Sequence, residues 1–405
     1  MGAPARGPVA VRRARMRVTM LVRCLAMMRG GGETRHLAWM RELDALGVEV
    51  DVIAGRPLML GGARHPVEGV KAAVIRSPYI RDAVYQWQHT RGFGRITMTA
   101  LHLDEEWFCR AAWRRIAARP VAPDIVHAHA LYQAARLRHD NIPVLINFPG
   151  APHARYEADI RQADALVADG WAAVNLPSMV GRPVHAIPKG VDAERFRPDG
   201  PDMRATFGLA GRRLVLSVGR FVPIKNMALL LDALARMRQV DPAVHLLLVG
   251  EGPEQRALER QAARLGVDSA VSFAGYVPQD QMAPYYRAAD VFALASEFDN
   301  SPNVVLEAMA CGVPVVASDV GGVAEYVRTD RGGSLVPRGD APAMARALGQ
   351  WLGDADRRRA ASAFNRQLVL ERFSWRASAE RLLEVYREVL DRRRTAMSVP
   401  SAKAL

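Results

Sequence analysis

The sequence predicts an α/β protein built from two wound parallel sheets, each covered by helices. Apolar, β-branched runs alternate with helical patterns along the whole chain, which is typical of parallel sheets with helices on their faces. The chain has 405 residues, which exceeds one ordinary domain, so we expect two. Half of the residues are apolar, which is enough to form two substantial cores.

Five strands are predicted in each half of the chain. In the first half they are 17–22, 48–54, 124–129, 144–149 and 164–170. In the second half they are 213–219, 244–250, 271–277, 291–296 and 313–319. Helical patterns separate them, such as 227–238, where apolar residues recur with helical spacing.

The boundary between the halves is predicted within residues 184–202, which contain three prolines, two glycines and no sustained periodicity. We therefore expect a first domain over 16–190, a second over 191–374, and an amphipathic C-terminal helix over 375–392. The basic segment 1–15 and the polar tail 393–405 are expected to be disordered. The ordered chain should begin near Met16, and the sequence leaves open whether Met1 or Met16 is the true start.

Composition excludes several classes of protein. The three cysteines, Cys24, Cys109 and Cys311, are odd in number and far apart, which fits neither a disulfide framework nor a zinc site. Residues 1–15 lack the apolar core of a signal peptide, and no run of 18 apolar residues occurs. These features predict a cytoplasmic protein with reduced thiols.

The positive charge is concentrated in the first half of the chain. Residues 1–190 contain 26 Lys and Arg against 16 Asp and Glu, whereas residues 191–405 contain 29 against 26. Arginine-rich composition alone could account for this excess. The functional alternative is attraction to an anionic surface, either phospholipid or a phosphorylated substrate. Nucleic acid is not expected, because no recognised binding motif accompanies the charge.

The segment 296–312, SEFDNSPNVVLEAMACG, is the most informative stretch. Asp299 is predicted in the loop after a strand, and Glu307 on the first turns of the helix that follows. Pro302 suits the start of that helix, and Gly312 is a plausible stop signal. Ligands bind where strand ends face helix N-termini in open α/β sheets, and free N–H groups there favour phosphate. The segment therefore predicts a nucleotide-type ligand.

Three other glycine-containing turns follow strands of the second half. In SVGRFVPIKN, Gly219 allows close backbone approach, and Arg220 and Lys225 offer a fork of donors and a point charge suited to a diphosphate. The alternative is two solvated basic residues in a loop. VGEGPE, with Gly250, and GGVAEYV, with Glu325, are equally well explained as structural turns.

The first half offers two candidates after its strands. RGGGETRHL contains Gly31 and Gly32, whose backbone N–H groups could face a phosphate or a sugar, although it is not a Walker loop. His127 and His129 end a strand and share one face. Each could be a satisfied core histidine or could face the cleft. No carboxylate or cysteine stands at ligand spacing from them, so we predict no metal site.

Aromatic and basic residues interleave in EEWFCRAAWRRIAARP, residues 105–120. Such a mixture suits an amphipathic helix at an anionic membrane surface. The alternative is an ordinary helix whose aromatic side chains, Trp107, Phe108 and Trp113, pack inward.

In this order the motifs resemble those of glycosyltransferase family 4. The resemblance covers about residues 16–390 and rests on GGGE, the HAH strand, IPKGVD, VGRFVPIKN, VGEGPE, FAGYVPQD, DNSPNVVLEAMACGVPVVAS, GGVAEYV and FSW. It implies the GT-B architecture, in which two Rossmann-like domains face each other and a C-terminal helix crosses back to the first.

The resemblance also implies roles for individual residues. Arg220 and Lys225 would hold the donor diphosphate, Asp299 the sugar hydroxyls and Glu307 the ribose. The remaining implied contacts are backbone or loop contacts: Asn303, Val304 and Val305 around the phosphates, Gly31, Gly32, Gly219 and Gly250 in the donor loops, and Val277 near the base. His127 and His129 would contact the transferring sugar or the acceptor, and the sequence does not say which of them does so.

The resemblance implies a retaining glycosyltransferase that uses a nucleotide-diphosphate sugar and needs neither cofactor nor metal, because Arg220 and Lys225 neutralise the leaving group. The acceptor would be a saccharide or lipid-linked saccharide at the inner membrane face, in polysaccharide or glycolipid assembly. Two alternatives stay open, an epimerase or hydrolase of the same fold and a non-catalytic nucleotide-sugar-binding protein. The chain departs from the family at Asp299, usually Glu, and at Lys189, often Asn, where we expect little effect on the chemistry.

Overall fold

The computed structural model describes residues 15–23, 25, 31–57, 72–77 and 95–398. The extension over 1–14, Cys24 and the end of the tail, 399–405, lie outside the described residues. Two parallel sheets form the framework of the molecule. The predicted fold class is therefore confirmed.

The first sheet has the strand order β3-β2-β1-β4-β5-β6-β7. Its strands are β1 (Arg17–Val22), β2 (Glu49–Pro57), β3 (Ala72–Ser77), β4 (Ile125–His129), β5 (Val144–Phe148), β6 (Ala165–Ala168) and β7 (His185–Ala186). All neighbours pair in parallel. The order reverses between β1 and β4, and such a switch point leaves a crevice at the strand ends.

The second sheet has the order β10-β9-β8-β11-β12-β13 and is also parallel. Its strands are β8 (Arg213–Val218), β9 (Val244–Val249), β10 (Val271–Phe273), β11 (Val291–Leu294), β12 (Val315–Ser318) and β13 (Gly333–Val336). Here the order reverses between β8 and β11. All ten predicted strands are present, and the sequence missed β3, β7 and β13.

Helices cover both sheets. They are α1 (Gly31–Ala45), α2 (Arg95–Ala117), α3 (Glu157–Ile160), α4 (Gly170–Val180), α5 (Met227–Arg238), α6 (Gln255–Arg264), α7 (Ala283–Ala288), α8 (Asn303–Ala310), α9 (Ala341–Gly353), α10 (Ala355–Arg372) and α11 (Trp375–Ser398). Separate apolar clusters fill the two sides of each sheet. The predicted helix 227–238 is confirmed as α5.

The C-terminal helix α11 crosses back to the first sheet, as expected from the family resemblance. Leu382 and Tyr386 of α11 are buried in the cluster that contains β1 and α1. The prediction of disorder from residue 393 is wrong for 393–398, because α11 continues to Ser398. Its last turns are held by Arg393, which forms an ion pair with Asp164 at 2.7 Å in the first domain.

Helix α2 contains the basic aromatic segment. Phe108 and Trp113 are fully buried against the first sheet, and the Trp113 indole donates a 2.8 Å hydrogen bond to the carbonyl of Ala134. Trp107 is 57% exposed. The alternative of inward packing therefore holds for Phe108 and Trp113, which the sheet buries, whereas Trp107 remains exposed.

Candidate functional site

The predicted site residues of the second domain flank the switch point of its sheet. Gly219 and Arg220 follow β8, and Lys225 lies in a short 3-10 turn, Pro223–Lys225, before α5. Asp299 follows β11, the strand next to β8. Because adjacent parallel strands end at the same edge, Lys225 and Asp299, which are 74 positions apart in the chain, come together in the crevice where α/β proteins bind ligands.

Lys225 and Asp299 form a close ion pair through Nζ and Oδ2, and both side chains are largely buried. The lysine turn is tied to the aspartate loop at two further points. The Asn226 amide donates to the Glu297 carboxylate at 2.6 Å, and the Glu297 N–H donates to the carbonyl of Ile224 at 2.8 Å. Arg220 is exposed at the mouth of this crevice.

Glycines let the β9–α6 loop pass close to the β8–α5 loop. A Cβ at Gly250 would lie 2.0 Å from the carbonyl oxygen of Gly219, and one at Gly252 would lie 2.3 Å from that of Phe221. Gly250 also has φ of +137°, which favours glycine. The VGEGPE turn therefore brings its backbone against the loop that carries Arg220 and Lys225.

Glu307 is a buried carboxylate on α8. It accepts hydrogen bonds from the Tyr286 hydroxyl at 2.7 Å and from the Gln279 amide at 2.9 Å. Burial raises the pKa of Glu307, and the two hydrogen bonds oppose that shift. The sequence did not single out either partner, although Gln279 stands in the FAGYVPQD motif.

Helix α8 begins at Asn303, one residue after Pro302. Pro302 provides no side-chain cap, and the N–H of Val305 donates to its carbonyl at 3.3 Å. Asn303 and Val304 are half-buried at the start of the helix, where the helix dipole favours an anion.

A cavity of about 220 Å³ adjoins Glu307 and Asn303 between the two domains. Its walls come from α1, from the interdomain linker and from the second domain: Leu37, Ala38, Arg41, Gly190, Val191, Asp192, Arg195, Gln279 and Trp375. Val277 lies half-buried in the loop after β10, packed on the core of the second domain. The Glu307 carboxylate is thus the buried acidic group of an interdomain cavity.

In the first domain the glycine run differs from its predicted form. Gly31 and Gly32 are the first residues of α1 rather than part of a loop. They follow β1 at the switch point of the first sheet, so the start of α1 still lies at the ligand-binding edge.

The two histidines of β4 have different surroundings. His127 is 1% exposed, and its Nδ1 lies 2.6 Å from the Tyr386 hydroxyl of α11. Burial lowers the pKa of His127 well below its usual value, with further lowering by His36 and Arg35. His129 is partly buried, lies 2.8 Å from the Asn147 amide oxygen and packs at a tilt against His36, with ring centroids 4.1 Å apart. The structure thus buries His127 against α11, which corrects its assignment to the site, and leaves His129 partly accessible.

A cluster of buried charges lies where the domains meet, and the sequence did not reveal it. Arg35 of α1 forms a close ion pair with Asp169, and both side chains are nearly inaccessible. Lys189 of the linker donates a 2.8 Å hydrogen bond to the carbonyl of Ser301. Burial lowers the pKa of Lys189 to about 8, although Asp169 opposes the shift. Burial acts to raise the pKa of Asp169, but Arg35 and Lys189 hold it below its usual value.

Within the described ranges, no group of three or more His, Cys, Asp or Glu side chains could hold a metal ion.

Comparisons with known proteins agree with this geometry. A family model described as "Glycosyl transferases group 1" matches residues 212–354, the part that carries Arg220, Lys225, Asp299 and Glu307. The GDP-mannose-dependent alpha-(1-6)-phosphatidylinositol monomannoside mannosyltransferase of Mycolicibacterium smegmatis is 37% identical over 210 residues, which are 49% of this chain and 55% of that protein. Residues 212–354 are a group 1 glycosyltransferase domain.

Two further matches extend beyond this domain. The D-inositol 3-phosphate glycosyltransferase of Nocardia farcinica is 34% identical over 300 residues, covering 70% of this chain and 64% of that protein. The crystal structure of Anabaena HepE in complex with UDP-glucose superposes with a TM-score of 0.65 at 20% identity, covering 92% of this chain and all of that one. The chain therefore spans 55% to 64% of the length of these two curated relatives, and the HepE likeness shows the fold.

Proposed function

We propose that this protein is a retaining, metal-independent glycosyltransferase that moves a sugar from a nucleotide-diphosphate sugar to a hydroxyl acceptor. The observation that carries the proposal is the Lys225–Asp299 ion pair at the switch point of the second sheet. Arg220 lies in the same loop as Lys225, and Glu307 lies on the helix that follows the Asp299 loop. The two cations can pair with the negative charges of a diphosphate, and the two carboxylates can accept hydrogen bonds from the hydroxyls of a sugar and a ribose. The start of α8, which has no side-chain cap, offers further N–H donors.

The residues present suggest how the chemistry proceeds. As the anomeric carbon becomes oxocarbenium-like, negative charge develops on the diphosphate. Lys225 and Arg220, with the N-terminus of α8, are placed to stabilise that charge without reorganisation. Asp299 pairs with Lys225. Binding of a donor would turn Lys225 to the diphosphate and free the Asp299 carboxylate for sugar hydroxyls.

The comparisons suggest which ligands to test. One relative is named for GDP-mannose and a phosphatidylinositol mannoside, another for inositol 3-phosphate, and the structural neighbour was solved with UDP-glucose. We therefore propose a nucleotide hexose as donor and a saccharide, inositol phosphate or lipid-linked saccharide as acceptor, within polysaccharide or glycolipid assembly.

Location at the inner face of the cell membrane is part of the proposal. No helix that the structure describes is long and apolar enough to cross a membrane. The exposed Trp107 and Arg114 on α2, together with the basic excess of the first half, would supply peripheral contact with anionic lipid. Absence of binding to anionic vesicles at low salt would refute this contact.

The central experiment combines a thermal-shift screen against UDP-, GDP- and ADP-sugars with product analysis. A donor that binds the native state raises the melting temperature, and NMR of the first product formed reports the anomeric configuration. Transfer to acceptor supports the proposal. Turnover without acceptor would indicate the epimerase or hydrolase, and binding without turnover would indicate the non-catalytic alternative.

The role of Lys225 is tested by Lys225→Ala. We expect transfer to fall by at least about 100-fold, as for removal of one preorganised charge-stabilising group. Arg256→Ala, which removes an exposed cation on α6, is the control and should leave transfer unchanged. Near-normal turnover in Lys225→Ala would refute the assignment.

A further inference from the structure

The first turn of α4, in the first domain, is capped by groups of the second domain. The N–H of Gly170 donates to the Glu325 carboxylate at 3.0 Å. The N–H of Trp171 donates to the backbone carbonyl of Asn300 at 3.1 Å, and that of Ala172 donates to the Asn300 side-chain oxygen at 3.1 Å. A helix start needs partners for such N–H groups, and here three successive ones find them across the domain boundary.

The residue that would ordinarily cap this helix is engaged elsewhere. Asp169 occupies the N-cap position of α4 but makes no side-chain cap hydrogen bond, because its carboxylate pairs with Arg35. The second domain therefore supplies the caps that the helix lacks in its own domain.

The two domains approach so closely here that glycine is required on both sides. A Cβ at Gly170 would lie 1.8 Å from the carbonyl oxygen of Asn300, and one at Gly322 would lie 2.6 Å from the Cα of Gly170. The amide of Asn300 also donates to the carbonyl of Pro149, after β5, at 3.2 Å. Asn300 is thus the residue of the second domain around which this contact is built.

The same loop carries Asp299. The Asp299 carboxylate pairs with Lys225, and its backbone carbonyl accepts from the N–H of Gly322 at 2.9 Å. On the other side of Asn300, the carbonyl of Ser301 accepts from Lys189 of the linker. The loop is therefore held by its own domain at residue 299, by the first domain at residue 300 and by the linker at residue 301.

We propose that Asn300 is a positioning residue that sets the Asp299 loop for catalysis only when the domains are closed. This role rests on the proposed function. With the domains apart, α4 loses three caps and the loop loses its anchors at residues 300 and 301, so Asp299 and Lys225 are no longer fixed relative to the first domain. Closing the cleft and forming the donor site are then one event.

Two substitutions separate the contacts of Asn300. Asn300→Ala removes the side-chain oxygen that caps Ala172 and the amide that reaches Pro149. Asn300→Asp keeps an acceptor for Ala172, with a charge that suits a helix N-terminus. Asn175→Ala is the matched control, because Asn175 lies one turn further along α4 and its side-chain amide donates within that helix, to the carbonyl of Trp171 at 2.8 Å.

The first readout is hydrogen exchange of a peptide covering the start of α4, which needs no donor. We expect Asn300→Ala to raise exchange there by about tenfold, the effect of losing one cap, and Asn300→Asp to remain close to wild type. The second readout is steady-state kinetics with the donor found in the screen. We expect Asn300→Ala to lower kcat for transfer by about tenfold and to raise the ratio of donor hydrolysis to transfer, while Asn175→Ala changes neither.

Unchanged exchange in Asn300→Ala, or increased exchange with an unchanged kcat and hydrolysis ratio, would overturn the proposal. A wild-type protein that turns over no donor would overturn the proposed function instead, and the exchange comparison would then still measure the interdomain contact. A thermal melt of each variant shows whether it is folded. If Asn300→Ala is unfolded, the kinetics of Asn300→Asp, which loses only the Pro149 contact, are used instead. The kcat of Asn300→Asp should lie within threefold of wild type.

Discussion

Glu105, buried behind the turn that follows β4, should make the stability of the first domain depend on pH. Its carboxylate accepts a 2.9 Å hydrogen bond from the N–H of Gln133. Burial raises the pKa of Glu105 from 4.5 to about 7, against the opposing effect of that hydrogen bond and of Arg23. Each pKa unit corresponds to about 1.4 kcal/mol, so the shift corresponds to about 3 kcal/mol.

The sign follows from the raised pKa. Native Glu105 binds a proton more tightly than unfolded Glu105, so its contribution to stability is complete below pH 4.5 and is lost as the pH rises through about 7. Glu105→Gln keeps the shape and one acceptor oxygen but cannot ionise. Relative to wild type, the variant should therefore gain up to about 3 kcal/mol between pH 5 and pH 8.

Thermal unfolding at pH 5 and pH 8 tests this difference. For a domain of this size the gain corresponds to roughly 6–10 °C in Tm. Glu106→Gln is the control, because the hydrogen bond from Arg110 lowers the pKa of Glu106 despite opposition from its slight burial. Its stabilising effect is complete above the unfolded value of 4.5 and is lost only as the pH falls below it, so the difference between Glu106→Gln and wild type should be nearly the same at pH 5 and pH 8. Equal pH dependence of Glu105→Gln and wild type would refute the reasoning.

Three further substitutions test the site. Glu307→Gln should raise the donor KM by about tenfold, because the charge-assisted hydrogen bond between Glu307 and the ribose becomes a neutral one. The control, Glu259→Gln at an exposed position of α6, should leave the KM unchanged. An unchanged KM in Glu307→Gln would contradict the ribose contact. Gly170→Ala should lower kcat/KM by more than tenfold, since its Cβ meets the Asn300 carbonyl. Gly47→Ala is its control, because Gly47 also has a positive φ but has open space around it. An equal loss of kcat/KM in the two variants would exclude the domain contact as the cause. Burial lowers the pKa of Lys189 to about 8, so its charge is present below pH 8 and lost above it. The donor affinity of the wild type should fall above pH 8, whereas the donor affinity of Lys189→Met should not. An equal loss of affinity above pH 8 in both proteins would show that another group causes it.

The strands that the sequence missed share a position in the fold. β3, β7 and β13 are edge strands, each paired on one side only. An edge strand is often short and need not be apolar on both faces, and β7 has two residues. Central strands such as β8 and β9 are buried on both faces and carry continuous apolar runs, which is why their positions could be predicted.

For the candidate site, too, some features could be predicted from the sequence and others could not. The turns that carry Arg220, Lys225, Asp299 and Glu307 could be located because each directly follows a strand or begins a helix. Their mutual contacts could not, since the Lys225–Asp299 pair joins loops after adjacent strands β8 and β11 that are distant in the chain. His127 and His129 show most clearly what the sequence could not predict. The alternation of side chains along a strand places both on the same face, and the packing of α11 against that face buries His127.

The two wound sheets and the order of the strand-end motifs could be predicted from the sequence, because apolar periodicity and glycine turns are local properties of the chain. The resemblance to glycosyltransferase family 4 rests on those motifs and their order. Tertiary structure alone decided which of these residues meet. It brought Asp169, at the N-cap of α4, and Lys189 of the linker into one buried cluster with Arg35 of α1. It also gave α4 its caps from the second domain. Contacts between distant segments depend on how domains pack, and no local pattern in the chain encodes that packing.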